Sequence, residues 1–252
     1  MAVVPFRAPG RGKTRLGVRP GAPGLSSSQR ATLSRAMLAD VGAALACSAV
    51  DRVVVAAAGR RAAAAAAALG LEVRLDPPEG RGLNAALAAV TTQLNAATMV
   101  VVAADLPSLR GDEVDALLAT DADVAVAPTA DGGTGGLLRR PPDVIAAAYG
   151  PGSAARHRDL AAAARLRSAE YHLPGFRRDV DTWEDLRTLV TGPVGAATAA
   201  VVARLSDRLA WQPPASRTEL PLSGLDDLPQ PPQQHVVAEP QQSVDDRGHQ
   251  SV

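Results

Sequence analysis

Residues 99–105 read Met99-Val100-Val101-Val102-Ala103-Ala104-Asp105. A strand with one wet face alternates apolar and polar residues. The run from Met99 to Ala103 does not alternate, which predicts a strand covered on both faces, as in a parallel sheet between two helical layers. Outward from this run, short apolar stretches alternate with helical ones. Strands are expected at 2–6, 52–57, 72–75, 124–127 and 168–171, with another passing through Leu137-Leu138 after a turn at Asp131-Gly132-Gly133. Helices are expected from a Ser27 or Ser28 cap to about Ala46, over 60–69 with Gly70 as C-cap, and over 83–94, 111–118, 153–166, 182–190 and about 194–209. Strand–helix alternation of this kind means an α/β fold with a mostly parallel sheet. Ligands in such sheets sit beyond the carboxyl ends of strands. The loops after Phe6, Ala103 and Ala127, and the one near Asp179, are therefore where chemistry is expected.

The chain has 252 residues, 26 basic against 26 acidic, and no formal net charge. That length suits one large domain or two small ones, with a core that needs no disulfides. Balanced charge excludes the overall basic field of a typical nucleic-acid binder. Aromatics at 2% provide no ladder of rings for stacking bases. Cys47 is the sole cysteine, so neither an internal disulfide nor a cysteine-based zinc cage is possible. No apolar run approaches the ~18–20 residues of a membrane span, and the apolar start at 2–6 is too short for a signal-peptide core. A reduced, cytoplasmic protein without nucleic-acid or membrane partners is the expectation.

The zero net charge hides an asymmetry. No acid precedes Asp40, while Arg7, Arg11, Lys13, Arg15, Arg19, Arg30 and Arg35 all do. Beyond Trp211 the chain is rich in Pro, Gln and Ser, and acids outnumber arginines. Such a segment buries too little apolar surface to offset its ordering entropy. The expected organisation is one domain at 1–211 and a disordered acidic tail at 212–252. Lys13 is the only lysine in the chain and falls in a glycine-rich loop at a strand end. A compact, mobile ammonium differs from a rigid guanidinium fork, and phosphate sites can demand that difference.

Pro9-Gly10-Arg11-Gly12-Lys13-Thr14 after a strand looks like a Walker A loop, with 99–105 as its partner strand. The pattern needs a glycine five residues before Gly12, where Arg7 stands. Gly17, Pro20, Gly21, Pro23 and Gly24 also prevent the helix that a Walker lysine opens. A second pattern, Asp179-Val180-Asp181, has two readings. On a strand the two carboxylates share a face, and their repulsion is relieved by a cation. Alternatively, Asp181 with Glu184 caps the helix that follows. The acid–x–acid triplet also occurs in glycosyltransferases, which keeps a sugar-nucleotide enzyme open as an alternative, beside a non-catalytic nucleotide-binding protein.

Six motifs occur in a fixed order: Pro5-Phe6-Arg7 with Gly12-Lys13-Thr14-Arg15-Leu16, Gly82-Leu83-Asn84-Ala85-Ala86-Leu87, Ala104-Asp105-Leu106-Pro107, Gly132-Gly133-Thr134, Tyr149-Gly150-Pro151-Gly152-Ser153 with His157, and Asp179 through Leu186. Together they resemble the 2-phospho-L-lactate guanylyltransferase family, called phosphoenolpyruvate guanylyltransferase in actinobacteria, which serves biosynthesis of the deazaflavin coenzyme F-420. The resemblance implies a Rossmann-like nucleotidyltransferase fold. It implies transfer of GMP from GTP to phosphoenolpyruvate or 2-phospho-L-lactate, the product passing to the next transferase of the pathway. An alanine- and arginine-rich composition tilts the expectation toward phosphoenolpyruvate.

The resemblance also assigns residues. Thr134, Gly150 and Ser153 match the family's acceptor-binding positions, although Ser153 also reads as a plain N-cap. The loop at Gly82 and Asn84 is where the family places guanine, and Asn84 offers a donor and an acceptor to a base edge, with an N-cap as the other reading. Asp105, Asp179 and Asp181 stand at the family's acidic positions and suit Mg²⁺, a hard cation that takes oxygen ligands. Lys13, flanked by Arg11 and Arg15, is the candidate for the GTP phosphates, and Lys13 and Asp105 are the candidate catalytic residues. Arg7 stands where the family usually has lysine, so its role is open, as is that of His157. Gly135 replaces the family's usual asparagine, which is expected to loosen the acceptor loop.

Overall fold

The computed structural model describes residues 1–7, 13–17, 24–75 and 82–206. The tail at 212–252, the end of the last predicted helix and Arg11 lie outside these residues. The first strand is β1 (Ala2–Arg7). After a 3-10 turn (Thr14–Leu16) come α1 (Ser27–Ala46), β2 (Val53–Ala58), α2 (Arg60–Ala67), β3 (Glu72–Leu75), α3 (Leu83–Gln93) and β4 (Met99–Val102). The second half supplies α4 (Gly111–Leu118), β5 (Val124–Pro128), β6 (Thr134–Arg139), α5 (Ser153–Ala163), β7 (Ser168–Glu170), α6 (Trp183–Thr188) and α7 (Ala196–Ala203).

The strands form one mixed seven-stranded sheet in the order β3-β2-β1-β4-β6-β5-β7. β1 runs parallel to β2 along its whole length and parallel to β4 on its other side. β6 is antiparallel to both of its neighbours, β4 and β5, while β7 is parallel to β5. The chain moves outward from β1 to β2 and β3, then returns to the far side of β1 as β4. Order reverses between β1 and β4, and a crevice opens there beyond their carboxyl ends.

All four residues of β4 are buried, as its unbroken β-type run predicts. Val100 and Val102 join Val4, Val55 and the inner faces of α1 and α4 in one core layer. Met99 and Val101 join Val3, Val54 and the inner faces of α3 and α5 in the other. Period-two alternation thus sorts each central strand into two apolar layers. A third, smaller cluster stands outside both. It gathers Leu16, Leu33 and Met37 of α1, Val180, Leu186 of α6 and Val202 of α7. Asp40 ties α7 down, its two oxygens accepting the N–H groups of Ala197 (3.0 Å) and Thr198 (2.8 Å) at a helix start with no side-chain cap of its own.

Boundaries shift by a few residues from the sequence reading, each for a local reason. The cap of α1 is Ser26, because Gln29 completes a reciprocal capping box with it. α2 ends on Ala68 as C-cap, two residues before Gly70. α5 stops at Ala163, where Arg165 turns left-handed and Leu166 N–H returns to Ala161 O at 3.0 Å.

Gly135 corrects an expectation. It lies buried within β6, and a Cβ there would stand 2.5 Å from the Phe176 carbonyl oxygen. The residue permits a close approach of two backbones and does not loosen a loop. Gly135→Ala is expected to cost about 1–3 kcal/mol, read as a lower denaturant midpoint. An unchanged midpoint would disprove the approach.

Candidate active site

Lys13 is the centre of the site. Its Nζ donates to Asp105 Oδ2 at 2.5 Å and to Asp181 Oδ1 at 2.7 Å, and its side chain is 11% exposed. Burial works against the ammonium charge, but the two carboxylates more than offset it and hold the group above its usual range. The backbone at Lys13 is left-handed (φ 57°), a conformation that costs a non-glycine residue about 1–2 kcal/mol.

Three distant parts of the chain are brought together here, and packing explains how. Asp105 follows β4 at the crevice. Val180 N–H donates to the Asp105 carbonyl at 3.2 Å, which lays the 179–181 segment beside it. Leu16 and Val180 are both buried in the third cluster, so the lysine segment and the acidic segment share one apolar anchor.

The Asp179-Val180-Asp181 segment is irregular backbone, not the strand its spacing suggested. The capping reading of Asp181 is also replaced. Thr182 is the N-cap of α6, and Asp185 Oδ2 accepts the N–H groups of Thr182 (2.7 Å) and Asp181 (3.1 Å). With Asp185 closing the cap, the Asp181 carboxylate is left for Lys13. Asp179 does not meet the ammonium. Burial, together with Asp105, Asp131 and Asp181, pushes its carboxyl up to about 7, against a smaller opposite pull from Lys13.

A cavity of about 850 Å³ opens at the crevice. Its wall includes Arg7, Lys13, Asp105 and Asp181, with Gly82, Leu83, Thr134 and Tyr149. Arg15 is not in this wall. It lines a second cavity of about 680 Å³ with Asp131, Arg177, Arg178 and Asp179, which Asp181 also borders. Arg7 and Tyr149, left unassigned by the sequence, are in the main wall. For Arg7 the signal was its place at the carboxyl end of β1.

The acceptor-type residues form a separate polar cluster. Thr134 Oγ1 lies 2.8 Å from Ser153 Oγ and 3.1 Å from His157 Nδ1, all buried. Thr134 is in the cavity wall, whereas Ser153 is 1% exposed and stands behind it. Gly150, at φ 135°, accepts Ser153 N–H at 3.0 Å and so makes the turn into α5. Asn84 is not a helix cap; Gly82 holds that position. Its amide makes two reciprocal bonds with the backbone of Tyr149, Nδ2 donating to the carbonyl at 3.1 Å and Oδ1 accepting the N–H at 2.8 Å. Asn84 therefore ties the start of α3 to the loop before α5.

Residues 1–206 match the family described as Guanylyl transferase CofC like. The phosphoenolpyruvate guanylyltransferase of Streptomyces coelicolor is 42% identical over 217 residues, covering 81% of this chain and 95% of that protein. The 3-phospho-D-glycerate guanylyltransferase of Phenylobacterium zucineum is 37% identical over 193 residues, covering 73% and 88%. Among solved structures, a protein from Desulfovibrio desulfuricans G20 described as a nucleotide-diphospho-sugar transferase superposes with a TM-score of 0.63 at 20% identity, over 82% of this chain and 96% of that one. That last likeness speaks to the fold alone. A crevice where strand order reverses, a buried ammonium between two carboxylates at that crevice and a sequence match through residue 206 lead to one conclusion: the chain is a nucleotidyltransferase and belongs to the CofC-like guanylyl transferase family.

Proposed function

We propose that the protein transfers GMP from GTP to phosphoenolpyruvate, releasing pyrophosphate, as a step toward coenzyme F-420. A phosphate oxygen of the acid forms a bond to the α-phosphorus of GTP, and the bond from that phosphorus to the β-phosphate bridging oxygen breaks. The observation that carries the reading is the meeting of Lys13, Asp105 and Asp181 in the wall of a cavity that Thr134 and Gly82 also line. The names of the relatives supply the acceptor. Two polyanions must meet in this reaction, so most of the barrier is charge repulsion and positioning. Among the described residues Lys13 and Arg7 are the cations of the wall and would hold the triphosphate, and Thr134 would meet the acid. The attacking phosphate is already ionised near pH 7, so no general base is needed. The reading places the protein in the cytoplasm and hands its product to the next transferase.

The donor set fits Mg²⁺. Asp105, Asp179 and Asp181 offer only hard oxygen atoms. Two of these carboxylates already converge on one cation, the Lys13 ammonium, and burial, with the neighbouring acids, raises the third. Among the described residues no three acidic, histidine or cysteine side chains close into a ready metal cage, since Lys13 stands between two of the acids. Asp105, Asp179 and Asp181 would hold the metal once Lys13 turns to the nucleotide. When bound, Mg²⁺ would neutralise charge on the attacking and leaving oxygens.

The decisive assay supplies GTP labelled at the α-phosphate, Mg²⁺, and either phosphoenolpyruvate, 2-phospho-L-lactate or 3-phospho-D-glycerate. Pyrophosphate release is expected with phosphoenolpyruvate, and silence with all three acids would sink the proposal. Turnover of a sugar phosphate instead would revive the sugar-nucleotide alternative. Asp105→Asn and Asp181→Asn are each expected to lower kcat by about 10²-fold or more with the fold intact; wild-type rates would remove the metal assignment.

Asp179 also predicts a pH signature of the metal-free protein. Its folded value, about 7, lies above the ordinary carboxylate range near 4. The folded state therefore binds more protons than the unfolded one between these values, and stability falls as pH rises through about 7. Asp179→Asn should raise Tm at pH 8 and change it little at pH 4. An equal change at both pH values would refute the cause assigned to the shift.

A further inference from the structure

The polar cluster behind Thr134 has a direction. Ala148 N–H donates to His157 Nε2 at 2.9 Å. A backbone N–H can only donate, so Nε2 supplies a lone pair and a neutral ring carries its proton on Nδ1. Burial, with Arg139 and Arg156 nearby, pushes the imidazole down to about 4 and keeps it neutral near pH 7. The Ala148 peptide is itself held. Arg156 Nε and Nη2 donate to its carbonyl at 3.1 and 3.0 Å, and Asn84 grips the next residue from both sides. The Tyr149 ring packs edge-on to the imidazole with centroids 5.1 Å apart, which restrains its rotation.

Counting protons gives the consequence. His157 Nδ1–H, the Thr134 hydroxyl and the Ser153 hydroxyl bring three protons to a cluster with two internal hydrogen bonds. Nδ1 must donate to Thr134 Oγ1, so one hydroxyl proton is left without a partner inside the cluster. Ser153 stands behind Thr134, and Thr134 lines the cavity. With Ser153 donating into Thr134 Oγ1, the unspent proton is that of Thr134. In the opposite tautomer Nδ1 would accept the Thr134 proton, and the same wall would offer the ligand only a lone pair.

We propose that His157 is a positioning residue for acceptor binding: by giving its Nδ1 proton to Thr134 Oγ1 it makes the Thr134 hydroxyl a donor into the cavity, matched to an anionic oxygen of the phosphorylated acid. This rests on the reading that the acid binds against Thr134. His157 then acts through hydrogen-bond polarity, holds no charge and transfers no proton. It favours an anionic acceptor over a neutral hydroxyl compound, which could pair with either polarity.

Two amide substitutions of similar polarity separate this role from simple packing. In His157→Asn the amide nitrogen falls near the Nδ1 position and can still donate to Thr134. In His157→Gln it falls near Nε2 and cannot. His157→Gln is expected to raise the KM for phosphoenolpyruvate about tenfold, the worth of one hydrogen bond to a charged group. His157→Asn should recover most of that loss, and the KM for GTP should stay put in both. Equal KM values for the acid in the two variants, or a parallel rise in the KM for GTP, would overturn the role. Thr134→Val tests the underlying site: if it leaves the KM for the acid unchanged, the acid does not bind there and the acceptor reading itself fails. Should the His157 variants not fold, ¹⁵N spectra of the wild-type imidazole decide, with the Nδ1–H tautomer expected and the Nε2–H tautomer fatal.

Discussion

The ammonium of Lys13 between Asp105 and Asp181 is the interaction on which the rest of the site depends. It gathers charge from residues 13, 105 and 181, which no local element could bring together. Without a cation between them, the carboxylates would repel at a crevice whose floor is apolar. The lysine thus does structurally what a metal does chemically, and it does so from a segment whose Leu16 is buried in the third apolar cluster and whose carbonyl there accepts Leu25 N–H at 2.7 Å. A guanidinium in its place would arrive as a flat fork with a fixed set of donors. That difference gives a physical reason for the one lysine in a chain otherwise served by arginine.

Much of the architecture was legible in the sequence because it rests on burial periodicity. The unbroken run at 99–103 implies two covered faces, and the sheet places β4 at its centre with helices on both sides. Lys13 and Asp105 were legible as types at strand ends, and Asp179 and Asp181 as a paired acidic motif. Their partners were not. Asp179 and Asp181 are two residues apart, which on a strand would make them equivalent, yet Asp181 meets Lys13 and Asp179 is buried within the field of Asp105, Asp131 and Asp181. The division arises from a cap, Thr182 with Asp185, placed one residue later than the pattern suggested. Asn84 shows the same limit. Its donor and acceptor suit a base edge, and the nearer claimant is the backbone of Tyr149, 65 positions away in sequence. Hydrogen-bond competition of this kind is settled by tertiary neighbours, which no spacing rule contains.

The two halves of the site differ in how they are held. The cationic half rests on ion pairs and on a small apolar cluster at the margin of the domain. The hydroxyl half is a buried network in which each bond fixes the polarity of the next, running from the Ala148 peptide through His157 to Thr134. The proposed function requires the first to change partners when the triphosphate arrives. The second is rigid, because reversing one bond requires reversing all of them.

The reversed direction of β6 has a wider meaning. In a sheet with every strand aligned, the ligand edge is furnished only by residues at strand exits. Here Thr134 opens β6, and antiparallel pairing brings that entrance to the same edge as the exits of β4 and β5. On the proposed function, Asp105 follows the exit of a parallel strand, whereas Thr134, the residue that would meet the acid, comes from the entrance of a reversed one, reached from β5 by the short turn at 129–133. A lineage could remodel that turn and the start of β6 to take a different acid while leaving Lys13, Asp105 and Asp181 untouched. On the proposed function, acceptor choice is separable from the nucleotide half by topology, and relatives that carry the names of different three-carbon phospho-acids are what such a sheet would be expected to produce.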